Sequence, residues 1–133
     1  TIVHYGEMSA LAAALLYNAE AIAIDERTTR DLVEGPEHMA AHMARKFNAK
    51  IKTNEDSLNR FRKQVGNLKI IRSAELATIA FEMGLLSKYT EKCRIPDINV
   101  KKILLDSVLW GVKLQGCAVS RIEIEQIMKL ERF

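Results

Sequence analysis

Three carboxylates stand where a small α/β protein would build a site. Glu7 opens an alanine- and leucine-rich stretch, and Asp25-Glu26 directly follow the apolar run Ala21-Ile22-Ala23-Ile24. In open α/β sheets, sites form at the carboxyl ends of strands, beside helix starts. Three acids gathered there would hold a hard divalent cation through oxygen ligands and leave waters for a phosphodiester. The same acids also fit structural work, with Glu7 as a favourable first-turn residue and Asp25 as a helix N-cap. Which of Asp25 and Glu26 would face a cation stays open, because a turn breaks strict alternation. Arg27, Thr28, Thr29 and Arg30 come next. Their hydroxyls and guanidinium groups suit phosphate, or the two arginines pair with neighbours such as Asp31 and Glu34.

Charge is laid out unevenly around these residues. Residues 1–37 carry seven acids against two bases, and residues 38–72 carry nine bases against two acids; the remainder is nearly balanced, and the chain's net charge is +3. An acidic zone beside a basic one suits a metal site next to a phosphate-binding surface, and equally suits two solvated surfaces. The basic segment 45–72 is the best nucleic-acid surface, with Lys46, Lys50, Lys52, Arg60, Arg62 and Lys63 as phosphate contacts. Aromatic residues make up only 6% of the chain, so base stacking is weakly signalled. Phe47 and Phe61 fit core positions better.

The elements that must hold these residues follow from periodicity. Thr1–Tyr5 is a short β-prone segment, and Glu7–Asn18 reads as a helix apolar nearly all round, hence buried. Residues 21–24 form a continuous apolar run of strand length, read as a parallel strand covered on both faces. A short helix runs to Val33, where Gly35-Pro36 stops it. Pro36 starts the next helix, to about Asn48, with Met39, Met43 and Phe47 on one face. Thr53–Asp56 begins a basic helix. Leu68–Arg72 reads as a second parallel strand. Ser73 then caps a helix to Leu86, and Ser87–Pro96 is a loop. An amphipathic helix spans Ile98–Gln115, and Ser120-Arg-Ile-Glu123 is a capping box for the last helix. The pattern is α/β and helix-rich, a small parallel sheet flanked by helices. The 133 residues and 48% hydrophobic content make one domain. No apolar run reaches ~18 residues, no basic n-region marks a signal peptide, and two cysteines make no disulfide scaffold. A soluble cytoplasmic protein is expected. The chain opens on Thr1 rather than Met, which predicts that upstream sequence has been removed.

Gly6-Glu7-Met-Ser9-Ala followed by Ile24-Asp25-Glu26-Arg27-Thr-Thr-Arg30 resembles the second half of a PIN domain, in the archaeal and bacterial branch of that family. Leu68–Leu76, Gly84-Leu-Leu, Leu104–Leu109 and Ser120–Lys129 resemble the elements that follow, and residues 35–66 look like an insertion. The resemblance implies a Rossmann-like three-layer fold and a nuclease that hydrolyses single-stranded RNA with Mg2+ or Mn2+. It implies Glu7, Asp25 and Glu26 as catalytic metal ligands. The family's first aspartate, on a first strand, has no counterpart here, so the chain resembles a C-terminal portion or a degenerate relative.

Two further readings accompany this one. The chain also reads as a non-catalytic module that binds nucleic acid or protein through its basic surface. A sheet edge left unpaired would also find a second copy, predicting a homo-oligomer, or would be completed by an upstream segment. His38 and His42 sit four apart on a helix, but Met39 stands where the zincin motif needs Glu. Ser9, Ser73 and Ser120 have no recognisable base partner. Glu75 reads as a helix-start residue, Asp106 lies amid core positions, Cys93 and Cys117 read as a loop thiol and a small buried residue, and Trp110 as core or interface.

Overall fold

A computed structural model describes residues 4–91, 93, 96, 98–131 and 133. The chain forms two compact units, Thr1–Ile71 and Arg72–Phe133. The expected β-prone opening falls largely on residues 1–3, outside the described residues, and Tyr5 is already helical.

The first unit contains α1 (Tyr5–Leu16), β1 (Ala21–Ala23), α2 (Arg27–Glu34), α3 (Pro36–Phe47), α4 (Glu55–Val65) and β2 (Lys69–Ile71). β1 and β2 pair in parallel, with Ile22 opposite Ile70. Parallel pairing follows from the long helical connection between them. The ladder continues past the strand ends through Lys69 N–H to Glu20 O at 3.1 Å and Ile24 N–H to Ile71 O at 2.9 Å. Leu11, Ile24 and Val65 form the core, with Ile22, Phe61 and Ile70 packed against it. Asn54 caps α4 by accepting from Ser57 N–H, and Gly66 ends that helix at φ 56°, a left-handed conformation suited to glycine.

Two expectations fail in this unit. α1 is not buried all round: only Leu11 and Ala14 are buried, while Leu16 is 75% exposed. Its high hydrophobicity comes largely from alanines, and a two-stranded sheet covers one stripe of it. β1 is likewise not covered on both faces, since Ala23 is exposed and Ala21 and Ile22 are half-buried.

The elements described in the second unit are all helical: α5 (Ser73–Glu82), a 3-10 turn at Ser87–Tyr89, α6 (Val100–Leu114) and α7 (Arg121–Leu130). Leu105 and Leu109, one turn apart on α6, are fully buried with Ala74, Val119 and Ile124. Each such leucine contributes on the order of 2–3 kcal/mol of burial. Cys117 is buried and Cys93 exposed, and Trp110 packs against the core. Ser120 and Glu123 form the expected capping box, with Glu123 N–H donating to Ser120 Oγ at 3.1 Å and Ser120 N–H to Glu123 Oε2 at 2.7 Å. Ser73 does not cap α5. It is the first helical residue, and the Arg72 N–H at the cap donates to Glu75 Oε2 at 2.8 Å, so Glu75 is the helix-start residue expected.

The α/β character therefore belongs to the first unit. Among the described residues no helix is long and apolar enough to cross a membrane.

Candidate functional site

α1 and α2 both begin next to one buried side chain. Glu7, in the first turn of α1, accepts the His4 backbone N–H at 3.0 Å on Oε2. Glu26 is the N-cap of α2 and accepts Thr29 N–H at 2.7 Å. Thr29 is 0% exposed. Its hydroxyl lies 3.3 Å from Glu7 Oε2 and 3.1 Å from Glu26 Oε2. A threonine hydroxyl has one proton and can donate to one carboxylate at a time. Two acids nineteen positions apart in sequence thus converge on a single donor, and their mutual repulsion is only partly answered there. Burial pushes the Glu26 carboxyl up, but hydrogen bonds from Thr28 and Thr29 outweigh it and hold the group below its ordinary range, so it is anionic at neutral pH.

A cleft of about 300 Å³ opens beside this pair. Glu26, Thr28 and Asp31 line one side, from the start of α2, and His42, Lys46 and Phe47, from the C-terminal half of α3, line the other. Acidic and basic side chains therefore line one space of ligand size.

Compared with protein-family models, curated proteins and solved structures, the chain matches none.

The candidate residues separate into several groups. Glu7 and Glu26 come together. Asp25 is half-buried just past β1, and it is Glu26, not Asp25, that caps α2. Among the described residues no three His, Cys, Asp or Glu side chains gather closely enough to hold a metal ion; the convergence is of two acids. Thr29, expected to reach a phosphate, is instead completely buried beneath the acids. Arg27 is exposed, and Arg30 takes the structural alternative by pairing with Glu34 at 3.7 Å. Lys46, Lys50, Lys52, Arg60, Arg62 and Lys63 are all exposed, and Arg62 also binds Glu37 at 2.9 Å.

Phe47 departs most from expectation. It is 56% exposed at the cleft edge, whereas Phe61 packs on the core. Asp31 and His42 join the cleft although nothing in the sequence ties them to the acids. Residues 39, 42, 43, 46 and 47 share one face of α3 by helical spacing, but only the approach of α2 makes that face a wall.

Proposed function

We propose that the first unit is part of a PIN-like domain that hydrolyses RNA phosphodiesters with Mg2+ or Mn2+. The observation that carries this reading is the convergence of Glu7 and Glu26 on the Thr29 hydroxyl. The donor set fits the cation. Magnesium keeps several waters and is held by one or two carboxylates together with substrate oxygens. Two carboxylates sharing one proton donor also leave negative charge that a cation would balance. Glu7 and Glu26 would hold it, and Asp25, close by in sequence, remains a candidate ligand. Once bound, such an ion lowers the pKa of a coordinated water and stabilises charge on phosphate. The chain's own residues supply the rest: Thr29 holds Glu26 through its backbone N–H and offers its one hydroxyl proton to either acid, and Lys46 offers a cation for the phosphate. The basic residues of α3 and α4 guide the backbone of single-stranded RNA.

The test is Mn2+-dependent cleavage of a single-stranded RNA by the intact protein, wild type against Glu7→Gln and Glu26→Gln. Loss of at least ~100-fold is expected from each, since electrostatic stabilisation of this kind contributes about 10²–10³. Equal rates would remove both acids from the chemistry. A second measurement is independent of turnover: Mn2+ should selectively broaden the amide signals of Glu7, Glu26 and Thr29.

A second reading is RNA binding without cleavage, favoured by the fact that each acid also accepts a backbone N–H at the start of its helix. Salt-dependent binding with no cleavage at any Mn2+ concentration would select it.

A further inference from the structure

We infer that Phe47 is a base-stacking platform that makes the cleft select single-stranded over duplex nucleic acid. This rests on the proposed function only in that the chain's ligand is RNA.

An exposed phenylalanine is by itself unremarkable as a surface feature. Its surroundings decide the matter. Phe47 ends α3 at the rim of the cleft, one residue from Lys46 and facing the side that carries Glu26 and Asp31. The Lys46 Nζ sits over one face of the Phe47 ring, 5.7 Å from its centre, so a base would stack on the opposite face with the cation on the far side of the ring. The cleft, at about 300 Å³, is at the small end for a ligand site. The segment that continues from it carries exposed Lys50 and Lys52, giving a backbone track that starts at the ring. Among the other exposed aromatics, Phe133 also lines a cleft and has Lys102 over its ring at 6.0 Å, but that ring packs against Phe81 at 6.1 Å. Tyr5 and Tyr17 lie in the acid-rich first stretch. Tyr89 has Lys88 over its ring at 5.0 Å but sits between Glu82 and Glu91 in sequence.

A ring face can stack only on a base whose own face is open. Bases in a duplex are stacked on each other, so an aromatic platform adds affinity for single strands and little for duplexes, whereas lysines contact phosphates of both.

The experiment is fluorescence anisotropy with a labelled single-stranded RNA and a hairpin duplex of equal charge, in EDTA so that nothing is cleaved. Phe47→Ala should weaken single-strand binding roughly 10-fold, the scale of one base–aromatic stack, and duplex binding less than about two-fold. Phe47→Trp should restore single-strand binding. Lys46→Gln should weaken both ligands in parallel, and Tyr89→Ala neither. Circular dichroism melts of Phe47→Ala should match wild type, since the side chain is outside the core.

Equal loss for both RNAs, or no loss for either, overturns the inference. So does a wild-type protein that binds neither RNA, including one whose Phe47-dependent binding is to anionic vesicles instead. The metal-site reading fails separately: single-strand selectivity lost in Phe47→Ala stands even if Glu7→Gln cleaves RNA as fast as wild type.

Discussion

Thr29 in the first unit and Arg72 in the second do comparable work on different charges. Each receives two carboxylates from the starts of helices. Glu7 and Glu26 converge on the Thr29 hydroxyl. Glu75 and Glu123 converge on the Arg72 guanidinium, with Glu123 at 2.8 Å and the Ala118 carbonyl at 2.9 Å. In three of these four cases the acid also accepts the N-cap N–H of its own helix: His4, Arg72 and Ser120 are the donors. The local chemistry is nearly the same, yet one cluster joins two anions to a cation and the other joins two anions to a neutral hydroxyl. Helix capping explains why acids stand at these positions. Capping alone does not bring two acids onto one neutral hydroxyl, and that difference is why the proposed cation is assigned to the first unit.

The protonation chemistry divides in the same way. Hydrogen bonds that the guanidinium donates to Glu75 hold the Arg72 proton above the ordinary arginine range. Burial raises the Glu123 carboxyl, but hydrogen bonds from Ser120 and pairing with Arg72 bring it down to about 2 from an ordinary 4.5. The Arg72 side chain is 11% exposed, while both its carboxylate partners remain more than one-third exposed.

The largest effect should come from removing the second unit's cation. Arg72→Met should lower unfolding stability by about 2–3 kcal/mol in urea denaturation, less than for a fully buried pair because water still screens the acids. A loss below ~0.5 kcal/mol would mean that the cluster is not compensated as described. Neutralising one acid in each unit sharpens the contrast. Glu123→Gln should destabilise by about 1 kcal/mol through its weakened charge-assisted bond. Glu7→Gln, measured in EDTA, should stay within about 0.5 kcal/mol of wild type, because lost dipole stabilisation is offset by lost repulsion. Equal destabilisation by both variants would erase the distinction.

Acid titration reads the same contrast more weakly. Glu123 has a folded pKa below its unfolded one, so its contribution is fully present above about pH 4.5 and is lost as pH falls toward 2. Protection of α5 and α7 amides, taken relative to the intrinsic exchange rate at each pH, should therefore fall as pH drops across that window, and Arg72→Met should flatten the response. Protection that does not change with pH there would contradict the assignment.

Much of the secondary structure was legible because it is set by neighbours in the chain. Ser120 with Glu123, Pro36 at a helix start and the four-residue apolar run before Asp25 all act within one or two turns, and the structure has them in place. The pairing of Ile22 with Ile70 in parallel was foreshadowed by two apolar runs separated by helices. Burial was less legible. Apolar composition implies enclosure for α1 and β1, but how much of each is covered depends on how many elements pack against it.

Sequence alone placed Glu7 at a helix start, set Asp25-Glu26 at the end of an apolar run and put the basic residues on one stretch of chain, since capping preference and charge order are properties of adjacent residues. Only tertiary structure chose Glu26 over Asp25 as the partner of Glu7, buried Thr29 between them, turned Phe47 outward while Phe61 went in, and set α3 across from the start of α2. The reason is geometric: a side chain's direction depends on where its helix begins and what packs against that helix, and contacts between residues 7 and 29, or 26 and 46, form only when separate elements meet.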